Sequence, residues 1–156
     1  MRLSTPETMQ LPARLPFETT LKVRDSCLCL YVQRAARSLA RSFDIALKPV
    51  GLTSGQFSLL MSLNRPQPPT LGSVAALLGL DRTTLTANLK PLQRRGLVET
   101  VADPQDKRMR LLNLTPAGHA ILIAAAPIWE QAHADIEAKI ADPDNLREAL
   151  GILSTL

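Results

Sequence analysis

The sequence predicts a mainly α-helical fold that carries one small β-hairpin, which places it in the α+β class. The 156 residues amount to about one domain. Hydrophobic residues make up 46% of the chain but aromatic residues only 3%, so Leu, Ala, Ile and Val must build the core. A core of that composition favours packed helices over a β-sandwich. Along most of the chain the apolar residues recur at steps of three and four, which is the helical period.

The composition argues against several classes of protein. The longest apolar run, residues 120–129, contains Pro127, so we expect no membrane-spanning segment and no membrane partner. No basic stretch followed by an apolar stretch opens the chain, and secretion is therefore not expected. Two cysteines are too few for a disulfide framework, which favours a cytoplasmic location.

Charge is unevenly distributed along the chain. Residues 1–69 carry a net charge of +5, residues 70–111 carry +3 and residues 112–156 carry −4. A basic body with an acidic C-terminal segment indicates a polyanionic partner that contacts only part of the molecule. The alternative interpretation is that the basic balance reflects only an arginine-rich genome.

An arm and a long helix are predicted at the N-terminus. Residues 1–24 contain three prolines and no helical period, which predicts an arm. Residues 25–48 form one apolar stripe, which predicts a helix capped by Asp25 or Ser26 and stopped by Pro49. The stripe consists of Leu28, Val32, Ala35, Leu39, Phe43 and Ala46.

The middle of the chain is predicted to contain a helix, a connector and then a compact helix pair. Thr53 or Ser54 begins the first of these helices, and the three prolines of residues 65–69 make a stiff connector. Helices are then predicted over residues 71–78 and 82–95. About three residues separate them, which is the spacing of a helix-turn-helix.

Pro91 lies inside the second helix of the pair, where a proline removes one backbone hydrogen bond. We expect a bend at this position. The alternative is that the helix ends at Lys90.

A β-hairpin is predicted directly after the helix pair. Residues 97–101 and 108–114 have the composition of strands, and the turn-rich segment 102–107 joins them. Residues 52–114 are therefore predicted to form a winged helix-turn-helix lobe whose wing is residues 97–114.

Two further helices are predicted after the wing. One begins at Thr115 and the other at Asp142.

The helix over residues 82–95 is predicted to expose a face suited to DNA. Leu85, Leu89 and Leu92 fall at steps of four and three and must face the core, so polar and cationic side chains occupy the outer face. These are Arg82, Thr83, Thr84, Thr86, Asn88, Lys90, Gln93 and Arg94. Short hydroxyl and amide groups suit base edges in a major groove, and cations suit phosphates. The alternative is a merely solvated helix face.

The hairpin carries Lys107, Arg108 and Arg110 near its turn. A long cation at a wing tip reaches a neighbouring minor groove, where negative potential concentrates when the groove is narrow. Asp103 and Asp106 are predicted to form the turn, and Asp106 is expected to support the wing by accepting a hydrogen bond from an arginine.

Three segments together resemble the MarR family of winged-helix transcriptional regulators. They are residues 80–98 (LDRTTLTANLKPLQRRGLV), residues 103–108 (DPQDKR) and residues 114–118 (LTPAG). The pattern Asp-Pro-x-Asp-x-Arg followed by Leu-Thr-x-x-Gly is among the most specific signatures of that family. Ala87 departs from the pattern, because many members have an arginine there, so no operator sequence can be carried over.

The resemblance implies a homodimer that binds a pseudo-palindromic operator in double-stranded DNA. Residues 25–48 and 115–156 would be its dimerisation helices. The helix over residues 82–95, with Thr84 and Thr86, would lie in the major groove, and Arg108 would be the wing arginine of the minor groove. The family also implies a repressor that a small aromatic or phenolic effector releases. We expect the effector cleft among Phe43, Phe57, Met61, Arg34 and the start of the helix at residue 116.

Cys27 and Cys29 are predicted to lie in the first turn of the helix over residues 25–48, where the helix dipole favours a thiolate. By an ungapped count back from residues 51–53, Cys29 matches the reactive cysteine of peroxide-sensing members of the family. Redox sensing is therefore an alternative function. The tyrosines that accompany that cysteine correspond to Gln33 and Phe43, so we expect its supporting hydrogen bonds to be missing. The other interpretation is that Cys27 and Cys29 are only small residues that pack at a dimer interface.

Neither enzymatic activity nor a bound metal or cofactor is expected. His119 and His133 have no neighbours at metal-ligand spacing, and the chain offers no plausible nucleophile with a histidine partner. No Gly-rich phosphate-binding loop is present. A further alternative is a winged-helix module that binds proteins and never contacts DNA.

Overall fold

The computed structural model describes residues 14–106 and 108–155. In these ranges the helices are α1 (Phe17–Ser26), α2 (Leu28–Leu47), α3 (Ser54–Leu63), α4 (Leu71–Leu78), α5 (Arg82–Arg94), α6 (Pro116–Glu137) and α7 (Pro143–Leu153). The strands are β1 (Val98–Ala102) and β2 (Arg110–Leu114), and a 3₁₀ turn covers Lys48–Val50. The chain divides into two compact units, residues 1–37 and residues 38–156. None of the helices described is both long enough and apolar enough to span a bilayer.

The N-terminal unit contains a helix that was not predicted. The predicted arm lies outside the described residues up to residue 13, but Phe17–Ser26 is helical, so the arm prediction is wrong over that segment. The sequence does not reveal α1, because this helix buries no side chain, so no stripe of apolar residues marks it. Glu18 in its first turn and Arg24 in its last turn complement the helix dipole. Asp25 and Ser26 end α1 and do not cap the next helix.

Cys27 separates α1 from α2. Its backbone is extended, with φ −75° and ψ 104°, and its N–H donates to the Val23 carbonyl at 3.0 Å. The Cys27 carbonyl in turn accepts the N–H of Tyr31 at 3.2 Å, which begins α2. The predicted helix start at Asp25 is therefore wrong, and of the two cysteines only Cys29 lies within α2. The predicted stop is confirmed, because the 3₁₀ turn ends at Gly51 with φ 67°.

Side-chain caps set the starts of the helices in the C-terminal unit, as predicted. In each case a side-chain oxygen accepts a backbone N–H three residues later, which satisfies one unpaired donor of the first turn. The capping residues are Thr53, Thr70, Asp81, Thr115 and Asp142. The helices enclose a core rich in leucine. Its largest fully buried side chains are Leu47, Leu59, Leu60, Leu85, Leu92, Leu112 and Val74.

The wing is an antiparallel pair in which Val98 faces Leu114 and Ala102 faces Arg110. Strand β1 has the predicted length but begins and ends one residue later than predicted, and β2 is two residues shorter than predicted. Leu97 is not in β1, because its N–H donates to the Leu92 carbonyl at 3.0 Å and completes the end of α5. Residues 108 and 109 belong to the turn before β2, where the Met109 N–H donates to the Asp106 carbonyl at 2.8 Å.

Pro91 and Pro127, which lie in the interior of α5 and α6, interrupt neither helix. Helix α5 continues through Pro91 to Arg94, so the interpretation that it ends at Lys90 is wrong. Helix α6 continues through Pro127 to Glu137. The carbonyl that Pro91 leaves without its helical donor belongs to Ala87, an exposed residue that water can reach.

The segment Leu-Thr-x-x-Gly joins α6 to the end of α5 and the start of β1. The Thr115 hydroxyl donates to the Gly96 carbonyl at 2.6 Å and accepts the Gly118 N–H at 3.0 Å. A Cβ at position 118 would lie 2.1 Å from the carbonyl oxygen of Leu97. Glycine is therefore required at this position, because the backbone of α6 runs directly against Leu97.

Candidate nucleic-acid interface

Helix α5 presents its polar side to solvent. Leu85, Leu89 and Leu92 are buried, which confirms the predicted core face. The exposed residues of the helix are Arg82, Thr83, Thr84, Thr86, Ala87, Asn88, Lys90, Gln93 and Arg94. Hydrogen bonds from the backbone N–H and then the hydroxyl of Thr84 lower the pKa of Asp81, the cap that starts the helix, below its ordinary value.

Two of the predicted base-reading threonines use their hydroxyl protons inside the protein. The Thr84 hydroxyl donates to Oδ2 of Asp81 at 2.7 Å, and the Thr86 hydroxyl donates to the Arg82 carbonyl at 2.7 Å. Each hydroxyl oxygen keeps lone pairs that accept hydrogen bonds, and each side chain keeps an exposed methyl group. Thr84 and Thr86 therefore suit amino groups and thymine methyl groups on base edges better than base acceptors.

The C-terminal end of α5 is anchored by two polar side chains. The Gln93 amide donates to the Thr100 hydroxyl on β1 at 2.8 Å. The Arg95 guanidinium donates to the Gly51 carbonyl at 2.8 Å. Gln93 is exposed as predicted, and its side chain and that of Arg95 also hold this end of α5 against neighbouring elements. Lys90 and Arg94 are then the exposed cations of this end of α5.

The wing turn is built by its two aspartates. Oδ1 of Asp103 accepts the N–H of Gln105 at 2.8 Å, and Oδ1 of Asp106 accepts the N–H of Arg108 at 2.9 Å. These bonds agree with the predicted turn-forming role. Asp106 holds the backbone of Arg108 and not its guanidinium, so it fixes where the arginine side chain starts. Lys107, a predicted contact residue, lies outside the described residues.

Three predicted DNA-binding arginines meet in one place. Arg82 of α5, Arg108 of the wing turn and Arg110 of β2 line a recess of about 170 Å³. The first turn of α4 forms another wall, through Thr70, Leu71 and Gly72, and Met109 completes the lining. Across the part of the chain that the structure describes, none of the three arginines lies within 4.0 Å of a carboxylate oxygen. The recess is therefore a concentration of unneutralised positive charge.

An aromatic cluster lies elsewhere in the C-terminal unit. The ring of Trp129 stacks on those of Phe43, Phe57 and His133, with centroid distances of 6.4, 6.0 and 4.7 Å. Nδ1 of His133 also lies 3.6 Å from a carboxylate oxygen of Glu137. Among the residues described, no group of three or more His, Cys, Asp and Glu side chains is placed to hold a metal ion.

The environment of Cys29 differs from the prediction. Its Sγ accepts a hydrogen bond from the Gln33 amide at 3.1 Å, and Oε1 of Gln33 lies 3.5 Å from the Arg37 guanidinium. The expectation that Gln33 leaves this thiol without a supporting hydrogen bond is therefore wrong. The physical reason is that Gln33 lies one helical turn after Cys29, within reach of an amide side chain. Cys29 is exposed, and Cys27 is partly buried.

A helix-turn-helix whose second helix shows an acid-free polar face, followed by a hairpin with a cationic turn, defines a winged-helix DNA-binding protein. Comparison with known proteins narrows the class. The sequence model described as MarR family matches residues 50–109. The regulator SarZ of Staphylococcus haemolyticus is 27% identical over 124 residues, which cover 80% of this chain and 83% of that protein.

Two solved structures give the same result. The M. tuberculosis transcriptional regulator MosR in complex with DNA is 38% identical, with a TM-score of 0.78, and the match covers 83% of this chain and 95% of that one. The transcriptional repressor CouR bound to a 23-mer DNA duplex is 29% identical, with a TM-score of 0.70, and the match covers 92% and 98% of the two chains. The chain belongs to the MarR family of transcriptional regulators, which are DNA-binding proteins and not enzymes.

Several residues that shape the interface were not singled out from the sequence. Gly72 leaves the space beside the Arg82 guanidinium, whose Nη2 would lie 3.2 Å from a Cβ at that position. Thr100 accepts a hydrogen bond from the Gln93 side chain, and the Gly51 carbonyl accepts one from the Arg95 side chain, so both residues help to hold the end of α5. Only pairing of distant segments creates these contacts, so no local pattern signals them.

Proposed function

We propose that the protein is a sequence-specific repressor of transcription that binds a DNA operator with α5 in the major groove and the wing near the minor groove. The observation that carries this proposal is the exposed outer face of α5, which has no acidic residue between Asp81 and Glu99. Arg108 of the wing turn and Arg110 of β2 line one recess together with Arg82, the first residue of α5. Membership of the MarR family, in which MosR and CouR have been solved with DNA, supports it.

The roles of the side chains on α5 follow from their chemistry. Thr83, Thr84, Thr86 and Asn88, on the N-terminal part of α5, would contact base edges. Lys90 and Arg94, nearer the C-terminal end, would contact phosphates and fix the register.

On the wing, Arg108 would enter the minor groove and Lys107 would follow the backbone beside it. Asp106 would support the wing by holding the backbone N–H of Arg108. The turn supports this proposal, since Arg108, whose N–H Asp106 accepts, is exposed.

We further propose that the active species is a homodimer. Helix α7 leaves Leu146 and Leu150 exposed by 42% and 40%, and Ile45 of α2 by 74%, although none of these side chains is suited to water. A second copy that covers them would offer two α5 helices to one side of a duplex. Half-sites about one helical turn apart, roughly 34–36 Å, would then match the twofold symmetry.

Release of the operator would follow binding of a small aromatic or phenolic effector. The stacked rings of Phe43, Phe57 and Trp129 offer the kind of surface on which an aromatic ligand packs. A ligand that prefers one spacing of the two α5 helices would shift the dimer away from the spacing that the half-sites need. Isothermal titration calorimetry with phenolic acids, in the wild type and Trp129→Leu, tests this step. Equal heats in the two proteins would contradict it.

Oxidation of Cys29 is a second candidate for the releasing signal. The exposure of Cys29 favours it, because peroxide can reach the Sγ atom, which the Gln33 amide holds in place through a hydrogen bond. Peroxide should then release DNA from the wild type and leave Cys29→Ser bound, with Cys27→Ser as the matched control. Equal release from wild type and Cys29→Ser would exclude this candidate.

The salt dependence of duplex binding tests the main proposal. With six to ten phosphate contacts, affinity should fall by about 10³–10⁵ between 50 and 200 mM salt. Fluorescence anisotropy with a duplex recovered by selection from genomic fragments measures this slope. Lys90→Gln should reduce the slope by about 1, whereas Lys139→Gln, a matched charge change after α6, should leave it unchanged. A flat wild-type response would instead favour a winged-helix module that binds proteins.

A further inference from the structure

The recess between the start of α5 and the wing has the features of an anion site. The residues that line it include one arginine from each of three elements, namely Arg82, Arg108 and Arg110. Like charges that lie close together without a counterion repel one another, and both carboxylate oxygens of Asp81, the cap of α5, accept hydrogen bonds from Thr84. An anion in the recess would remove that repulsion.

The guanidinium of Arg82 lies against Gly72 at the start of α4. Nη2 of Arg82 would lie 3.2 Å, and its Cζ 3.9 Å, from a Cβ built on Gly72. The guanidinium therefore lies over the first turn of α4, although Arg82 as a residue is exposed. Glycine inside a helix costs about 1 kcal/mol relative to alanine. At Gly72 the lack of a side chain also lets the Arg82 guanidinium approach the start of α4.

Backbone donors complete the lining of the recess. The Ser73 N–H donates to the Thr70 hydroxyl at 3.1 Å, and the Val74 N–H donates to the Thr70 carbonyl at 3.1 Å. The N–H groups of Leu71 and Gly72 have no acceptor within the part of the chain that the structure describes. Both residues line the recess, next to the three arginines. Planar guanidinium groups and backbone N–H groups together are the donors that phosphate oxygens prefer.

We propose that this recess is a phosphate-binding site, and that it seats one backbone phosphate of the DNA duplex. The assignment of the phosphate to DNA rests on the proposed function, whereas binding of the anion itself does not. A phosphate held there contacts the helix pair and the wing at once. It therefore fixes the wing on the DNA backbone and gives Arg82 and Arg110 a role separate from reading bases.

Nuclear magnetic resonance of the backbone amides tests the site directly. Inorganic phosphate is titrated into the full chain at constant ionic strength, with chloride as the balancing anion. The Leu71 and Gly72 amide resonances should shift in the wild type and in Arg41→Gln, an exposed arginine on α2, and should not shift in Arg82→Gln. Light scattering on each variant confirms an unchanged molecular mass. Leu71 and Gly72 resonances that do not move in the wild type would overturn the site.

A second measurement distinguishes the source of the phosphate. The salt slope of duplex binding should fall by about 1 in Arg82→Gln and in Arg110→Gln, and by nothing in Arg41→Gln. If the wild type keeps a steep slope and Arg82→Gln matches it, the recess assignment fails while the proposed function stands. If phosphate shifts the Gly72 amide but the duplex does not, the recess binds a free anion, which overturns its assignment to DNA. A flat wild-type slope means that the proposed function itself has failed.

Discussion

Replacing Gly118 by alanine is predicted to destabilise the fold. The new Cβ would lie 2.1 Å from the carbonyl oxygen of Leu97, 3.1 Å from its carbonyl carbon and 3.2 Å from Cδ2 of Leu114. Ordinary contacts between carbon and oxygen are about 3.3 Å or longer. The start of α6 must therefore move by more than about 1 Å from a backbone that closes the end of α5. The same movement stretches the bond from the Thr115 N–H to the Leu97 carbonyl, now 3.1 Å.

The expected magnitude follows from these contacts. Overpacking of this kind costs about 1–3 kcal/mol, and a weakened hydrogen bond adds about 1 kcal/mol. The helix propensity of alanine returns up to about 1 kcal/mol. The free energy of unfolding should therefore fall by about 1–4 kcal/mol, which lowers the melting temperature by roughly 2–16 °C in a domain of this length.

Urea unfolding at one fixed protein concentration measures the change, since association would make the midpoint depend on concentration. Gly55→Ala is the matched control, because a Cβ on Gly55, also in the first turn of a helix, meets no described atom within 4 Å. Gly55→Ala should be as stable as the wild type or more stable by up to about 1 kcal/mol. If Gly118→Ala is as stable as Gly55→Ala, the packing account of the Leu-Thr-x-x-Gly segment is wrong.

The remaining predictions concern binding and assembly. Arg108→Ala should weaken duplex binding by about 1–3 kcal/mol in fluorescence anisotropy, and wild-type affinity in that variant would refute the role of the wing. Thr86→Ala should change base preference in a competition assay more than it changes overall affinity. Thr86→Ser should behave like Thr86→Ala if the methyl group makes the contact, and wild-type preference in both variants would argue against base reading by Thr86. Leu150→Asp should yield monomers in size-exclusion chromatography with light scattering, and an intact dimer would mean that α7 is not at the interface.

The helices of the C-terminal unit could be predicted because local chemistry sets their boundaries. Asp81 and Thr115 cap their own helices, and the glycine at residue 79 adopts the left-handed conformation, φ 62°, that ends α4. The buried face of α5 also follows from spacing alone, since Leu85 and Leu92 lie on one side of any helix through these residues.

Other features depend on contacts between segments far apart in the sequence. Helix α1 has no buried face, so no pattern of apolar residues marks it. The sequence supplies Arg82 and Arg110 as cations, but only the packing of the wing against α4 brings them into one recess. The sequence also does not show which hydroxyl protons are already used inside the protein. The Thr86 hydroxyl donates to the Arg82 carbonyl and the Thr84 hydroxyl to Asp81, and both bonds depend on the side-chain rotamer.

The central claim is that the outer face of α5 and the wing form the surface that binds DNA. Acetylation footprinting of the lysines, with and without a selected duplex, tests it most directly, since the chain carries Lys22, Lys48, Lys90, Lys107 and Lys139. Duplex should protect Lys90 and Lys107 from the reagent and leave Lys48 and Lys139 as reactive as in the free protein. Protection of Lys48 or Lys139 while Lys90 stays fully reactive would contradict the claim.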